Sequence, residues 1–407
     1  MVGAPAPTRP ALPRLRLILV LGSVTALGPL SVDLYLPAFP AIAAEFDASQ
    51  SAVQLTLTGC LVGLAFGQLV AGPLSDRVGR RRPLLAGALG YALASVLCAV
   101  APSVELLLGL RFVQGLAGAA TMVVARAVVR DLATGAAASR LFSVLMLVTG
   151  LAPVLAPAIG GQLLTLTDWR GLFVALAVFG SLLLATVAVA LPETLPPQLR
   201  NGSGVRMVLG TYRSLLADRV FLGYALGGGL AFAGMFAYIS GSPFVFQGVY
   251  ELTPQLYGVL FGLNAIGLVT ATQINGLIVG RVAPRRLLLT GVIGSSTGGV
   301  LLLAAALARP ASVVWLVLPL FLVVSFIGFV MPNSTALALA DHPRAAGTAS
   351  ALLGAFQFVI GAVTGPLVGL AGSASAVPMA LIILLATGSA TTVLLTLTRP
   401  RECLRAS

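Results

Sequence analysis

The sequence predicts an all-α polytopic membrane protein of twelve transmembrane helices in two six-helix halves, and three observations carry that prediction. Of 407 residues, 58% are hydrophobic and only 9% charged, with a mean hydropathy of +1.03, whereas an ordinary soluble domain carries about 25% charged residues. The arginines concentrate in alternate connections between the apolar runs. Finally, one connection recurs at half-chain spacing.

A bilayer core takes about 20 apolar residues per helix, so apolar runs bounded by charges define the spans. The first covers 15–40, between the Arg14/Arg16 pair and Glu45, and the second covers 51–74, ending before Asp76. The third, 83–101, follows Arg80–Arg82, and the fourth, 105–128, runs from Glu105 to the Arg130–Asp131 pair. The fifth, 139–164, starts beside Arg140, and the sixth, 168–191, lies between Asp168 and Glu193. A polar linker, 192–218, divides residues 1–191 from residues 219–407. The second half repeats the series at 219–246, 254–279, 286–307, 313–340, 346–370 and 377–398. The first apolar run exceeds a signal peptide's hydrophobic region and eleven spans follow it, so it is expected to be retained.

An even number of spans puts both termini on one side. The segments on that side hold 21 of the 24 basic residues, leaving Arg111, Arg170 and Arg309 elsewhere. The acidic residues do not follow: six lie on that side and five on the other, with Asp33 inside a span. The positive-inside rule makes the arginine-rich side, with both termini, cytoplasmic. The net charge of +12 is thus a topology signal, and no nucleic-acid partner is expected.

Every one of the 24 basic residues is arginine. Without lysine there is no Walker A phosphate loop and no Schiff-base nucleophile, so ATP hydrolysis by this chain is excluded. One histidine, His342, and three scattered cysteines, Cys60, Cys98 and Cys403, offer neither a metal site nor a disulfide framework. A membrane-embedded enzyme would need paired acids or an activated nucleophile in the spans, which hold one acid. No enzymatic activity, cofactor or metal is expected, and the chain is expected to work as a monomer in the lipid bilayer.

Residues 72–85, GPLSDRVGRRRPLL, and residues 276–289, GLIVGRVAPRRLLL, are identical at seven of fourteen positions. Each falls between the second and third span of its half, which implies two halves of the same orientation. Such a construction places a substrate site near the midplane between the halves and predicts transport by alternating access.

Asp33, in Gly28-Pro29-Leu30-Ser31-Val32-Asp33-Leu34-Tyr35-Leu36-Pro37, is a functional candidate because ionisable groups in spans are costly. Counted from Pro40 it lies seven residues in, roughly 10 Å deep, and Arg111 lies six residues, roughly 9 Å, from the same surface. Opposite charges at one depth are expected to pair.

The segment Gly72-Pro73-Leu74-Ser75-Asp76-Arg77-Val78-Gly79-Arg80-Arg81-Arg82 resembles the signature between helices 2 and 3 of the major facilitator superfamily. Its glycines permit a tight turn, and Asp76 can accept from Arg77, Arg80 or following helix amides. The resemblance implies the major facilitator fold, and a latch of the outward-open state built from Gly72, Asp76, Arg77, Gly79, Arg80 and Asp131. The second copy has Gly280 where Asp76 stands, so the latch would be one-sided. Arg111-Phe112-Val113-Gln114-Gly115 matches the superfamily's helix 4 pattern, which implies proton coupling by Arg111 with Asp33. In the fifth span Gly150–Gly161 looks like the antiporter signature, with Pro153, Pro157, Gly160 and Gly161 as its marks and Ala156 in place of the usual glycine. Small-residue stripes at Gly59, Gly63, Gly67 and at Gly361, Gly365, Gly369 would, by the same resemblance, form a sliding seam between the halves.

The resemblance narrows at GPLSVDLYLPAFPAI in the first span, AYISGSPFVFQGVY at 237–250, and PNSTALAL with AGTASALLGAFQF within 332–358. Together these are similar to the Bcr/CflA subfamily of drug:proton antiporters, over essentially the whole chain. That implies export of drugs or drug-like metabolites across a bacterial inner membrane, driven by protons; the competing reading is a proton symporter or facilitator for a sugar or organic acid. Related exporters often carry a second acid where this chain has Thr25. Candidate cavity groups are Tyr35, Gln114, Tyr238, Asn264 and Gln357, polar positions that could fix a ligand between apolar walls.

Overall fold

The computed structural model describes residues 14–132, 135–200, 205–342, 345–370, 372 and 375–398. Both chain ends, with Arg9, Arg399, Arg401 and Arg405, lie outside the described residues, as does Arg344. The elements are α1 (Arg14–Asp33), α2 (Phe39–Glu45), α3 (Gln50–Val78), α4 (Arg81–Ala99), α5 (Val104–Leu132), α6 (Gly135–Leu163) and α7 (Trp169–Ala190). They continue with α8 (Val205–Ala217), α9 (Arg219–Pro243), α10 (Pro254–Ile278), α11 (Pro284–Ala308), α12 (Val314–Ala340), α13 (Ala346–Leu370) and α14 (Val377–Leu397). Among the described residues there is no strand. Among the described residues eleven spans are long and apolar enough to cross a membrane, α1 and α2 counting as one, and α6 adds an apolar stretch at Val148–Leu163.

Local chemistry sets the boundaries. Ser49, Asp168, Asp218 and Thr253 cap α3, α7, α9 and α10, each accepting a backbone N–H from the first turn, which satisfies donors that a helix start leaves orphaned. The course of the chain departs from the sequence reading at the first span and at the linker. The first span is broken: α1 ends at Asp33, a 3₁₀ turn covers Leu36–Ala38, and α2 resumes to Glu45. Pro37 is the cause, since a helix running through it would drive its ring against the carbonyl four residues earlier, that of Asp33. The linker is partly helical, because Val208, Tyr212 and Leu215 recur at helical spacing. Leu215 is buried beside Phe221 and Tyr224, so α8 packs on the second half.

The two halves repeat one packing scheme. In the first half α3 packs on α5, α4 on α5 and α7, and α1 on α6; in the second α10 packs on α12, α11 on α12 and α14, and α9 on α13. The halves meet along α3 with α13 and along α6 with α10, two seams that interchange when the halves are exchanged. Among the described residues four hydrogen bonds cross between halves: Ser51 Oγ to the Pro366 carbonyl (3.2 Å), Gln54 Nε2 to that of Ser240 (3.0 Å), Thr58 Oγ1 to that of Ala362 (2.7 Å) and Gln255 Nε2 to that of Gly161 (2.9 Å). All belong to the part of the bundle away from the arginine-rich turns.

Close backbone approach explains the glycines, and it corrects the expected seam. A Cβ on Gly63 would lie 2.1 Å from the Phe112 carbonyl oxygen, and one on Gly59 or Gly67 would lie 2.7 Å from that of Leu108 or Leu116. The stripe on α3 therefore faces α5 within its own half. Of the other stripe, Gly361 packs against Phe232 of α9, while Gly369 reaches Ser51 and Gln54 across the seam. Replacing Gly63 by Val should cost about 1–3 kcal/mol through overpacking, whereas exposed Gly109, with nothing within 4 Å of an added Cβ, should accept Ala with a gain below about 1 kcal/mol. Thermal unfolding of the purified variants measures both, and equal melting points would contradict the α3–α5 contact.

Candidate functional site

Asp33, the last residue of α1, is buried and lines a cavity of about 320 Å³ between the halves. Because the span continues through α2, Asp33 is twelve residues from its end at Glu45, rather than the seven expected. Among the described residues its carboxyl has no hydrogen-bond or ionic partner. Arg111, seven residues into α5, turns elsewhere.

Arg111 is wholly buried and donates from Nη2 to the Ser31 carbonyl at 2.7 Å and from Nη1 to Gln114 Oε1. Its guanidinium sits 4.3 Å above the Tyr35 ring and 5.6 Å from that of Phe173, both within cation–π range. The expected Asp33–Arg111 ion pair is thus absent. The Ser31 carbonyl is among the last four of α1, which a helix end leaves without amide partners, so Arg111 satisfies the broken helix. Gln114 in turn donates to Ser95 Oγ at 2.7 Å, and the Ser31 and Tyr91 hydroxyls share a 2.7 Å hydrogen bond.

The cavity candidates separate accordingly. Tyr238 lines the wall, stacked on Phe261 at 5.1 Å and accepting from Asn264 Nδ2 at 3.0 Å. Asn264 stands behind it, fully buried. Tyr35, hydrogen-bonded to Thr56 at 3.2 Å, and Gln114 belong to the Arg111 cluster, and half-buried Gln357 is not on the wall. Apolar and aromatic groups dominate the lining, among them Met122, Phe232, Phe236 and Phe358. The second charged residue on the wall, Arg126, was assigned by sequence to the cytoplasmic arginines. Its signal was present in Val123-Val124-Ala125-Arg126-Ala127-Val128-Val129, an arginine interrupting an apolar run.

On α6, Pro153 lines the cavity. A Cβ on Gly160 would lie 2.0 Å from the Leu34 carbonyl oxygen, and one on Gly161 2.6 Å from that of Pro254. A Cβ on Gly258 would be 2.6 Å from the Pro157 carbonyl oxygen. This stretch of α6 is wedged between the break in the first span and α10.

At the arginine-rich end, Arg80 bonds Asp76 through Nη1, Asp131 through Nε at 2.9 Å and Ser75 Oγ at 2.8 Å. Gly79 adopts φ +98°, open to glycine at little cost, and this turns the backbone toward a residue that sequence reasoning missed. Glu193, just after α7, accepts from the Arg80 amide at 2.8 Å and the Arg81 amide at 3.3 Å, and pairs with Arg200 at 3.7 Å. A Cβ on Gly79 would lie 2.3 Å from Glu193 Oε2. Gly72 approaches only Val123, and Arg77 forms no ion pair among the described residues.

Burial alone would raise the Glu193 pKa, but the backbone amides of Leu195, Arg80 and Arg81 and the charge of Arg200 together hold it below the ordinary 4.5. A carboxyl with a depressed folded pKa stabilises the fold above its unfolded value, and that contribution disappears as pH falls through the folded value. The melting-point difference between wild type and Glu193→Gln should therefore be largest at pH 7 and shrink below about pH 4.5. A difference independent of pH would remove the carboxylate's charge from the network.

Comparison with known proteins agrees with this architecture. The family profile described as Major Facilitator Superfamily matches residues 21–366. An uncharacterized MFS-type transporter, YdgK, of Bacillus subtilis is 42% identical, over 90% of this chain and 91% of its own. The bicyclomycin resistance protein homolog of Haemophilus influenzae is 34% identical, over 89% of this chain and 91% of its own, in keeping with the Bcr/CflA resemblance. Among solved structures, the xylose transporter XylE of E. coli in a partially occluded inward open conformation superposes with a TM-score of 0.73, over 95% of this chain and 98% of its own, at 15% identity, a likeness of fold alone. The chain belongs to the Major Facilitator Superfamily and is a multi-pass membrane transporter, not an enzyme.

Proposed function

We propose that the protein exports drugs or drug-like metabolites across the bacterial inner membrane in exchange for protons, with the arginine-rich turns and both termini in the cytoplasm. One observation carries the reading: Asp33, the one acid inside the spans predicted from sequence, stands among the described residues without a hydrogen-bond or ionic partner on the wall of a largely apolar cavity between the halves. The drug-resistance name of the Haemophilus influenzae relative supports the substrate class. No cofactor takes part, and the proton gradient is the energy source.

A carboxylate is costly to carry through an occluded apolar cavity, whereas the protonated acid is not. Asp33 takes a proton from the outer face, the neutral acid permits return to the inward-open state, and drug binding from the cytosol favours proton release. Arg111 acts through position. By holding the carbonyl of Ser31 it fixes the end of α1 two residues before the acid. One charge crossing 100 mV supplies about 2.3 kcal/mol, roughly a 50-fold concentration ratio for a neutral drug exchanged against one proton. Asp76, half-exposed beside Arg80, serves with Asp131 in the latch of the outward-open state.

Inside-out vesicles with a pre-formed pH gradient test the proposal. Particular antibiotics should dissipate the gradient with wild type and not with Asp33→Asn, which should still bind them. Undiminished proton movement in that variant removes Asp33 from the mechanism, and nutrients moving protons in the opposite sense would replace export by symport. Asp76→Asn should slow cycling while leaving drug affinity within about fivefold, since a surface pair contributes about 1 kcal/mol or less; lost affinity at unchanged turnover would contradict the latch.

A further inference from the structure

Resting on that reading of the cavity, a second charge narrows what the site takes. Arg126 lies on the cavity wall six residues before the end of α5 at Leu132, exposed to the cavity space. Its flanking residues Val124, Ala125, Ala127 and Val128 are all buried. Among the described residues no acid and no hydrogen-bond acceptor engages its guanidinium. A permanently charged group held there without a counter-ion is costly, and such residues mark ligand paths.

Asp33 does not neutralise it. A Cβ on Gly28 would touch the Met122 sulfur at 2.4 Å, which sets those two residues at one level of the bundle. Asp33 is five residues from Gly28 toward one end, and Arg126 four residues from Met122 toward the other, so their backbones are about 13 Å apart along the axis. Helical side chains lean toward the N-terminus of their helix, which tilts Arg126 up toward the cavity floor. The rest of the wall includes Met122, Phe232, Phe236 and Phe358, with Phe261 stacked on Tyr238. The site therefore has a cation at its arginine-rich end, aromatic walls and a hydrogen-bonding deep end at Asp33 and Tyr238.

We infer that the cavity selects organic anions: ligands with an apolar, preferably aromatic body and one carboxylate or comparable oxyanion, the oxyanion seated on Arg126. Guanidinium and carboxylate fit each other in a bidentate fork, and the ligand's charge cancels that of the wall. Apolar cations meet the reverse, a fixed positive charge on the wall.

The test is a matched pair: tritiated 1-naphthaleneacetate binding to purified protein by scintillation proximity, with competition by its uncharged carboxamide. The wild type should bind the acid about 10-fold or more tighter than the amide, as expected for a charge-assisted hydrogen bond. Arg126→Gln should bring that ratio near one, and Arg126→Lys should retain a preference for the acid, each variant being judged by its melting point and monodispersity. Equal affinities in the wild type, no measurable binding of the acid, or a preference that survives Arg126→Gln overturns the inference. The vesicle assay separates the two readings. Drugs that move protons while the acid is not preferred leave export standing without an anion site; an Arg126-dependent preference with no drug-driven proton movement leaves the anion site standing without export.

Discussion

A helix that stops inside a bilayer leaves carbonyls that hydrocarbon cannot satisfy, and the rest of the first half is arranged around one such stop. Pro37 ends α1 at Asp33, and Arg111 reaches from α5 to take the carbonyl of Ser31. The arginine is itself held by Gln114 and by the face of Tyr35, Gln114 by Ser95, and Ser31 by Tyr91. Gly160 lets α6 come against the broken backbone at Leu34. Helices α4, α5 and α6 thus converge on one irregular turn, and Asp33 is presented to the cavity because its helix goes no further.

The regular part of this architecture was open to sequence reasoning because it follows from lipid. Twelve apolar runs, their charged boundaries and the half-length repeat all reflect the cost of polar groups in hydrocarbon. The third span was expected at 83–101 and α4 covers Arg81–Ala99; the seventh was expected at 219–246 and α9 covers Arg219–Pro243. Asp33 was visible for the same reason, as an acid where acids are expensive.

What sequence did not reveal depends on tertiary contact. Asp33 and Arg111 look paired when depth alone is counted; they do share a level, since Arg111 bonds the Ser31 carbonyl and lies over Tyr35, but Asp33 lines the cavity and Arg111 does not. Arg126 reads as a topology signal because it lies near the basic end, and only the packing of α5 shows that it faces inward. Glu193 meets Arg80 across 113 residues, a separation at which no local pattern speaks. Likewise the stripe Gly59, Gly63, Gly67 announces close packing but not its partner; α5 and α13 are both neighbours of α3, and the backbone that comes close to these glycines is that of α5.

The linker has a mechanical consequence. Its beginning is fastened to the first half, where Arg200 is tied to Glu193 and to the Leu195 carbonyl, and its end to the second, where Leu215 of α8 is buried with Phe221 and Tyr224. Only residues 201–204 separate Arg200 from the start of α8 at Val205. Five peptide steps span at most about 18 Å. The chain is therefore a leash: with the ten residues of α8 from Val205 to Leu215 adding about 15 Å, the fastenings at Arg200 and Leu215 can part by no more than about 33 Å unless one of them opens, so the length of the linker caps the gape at that end of the molecule.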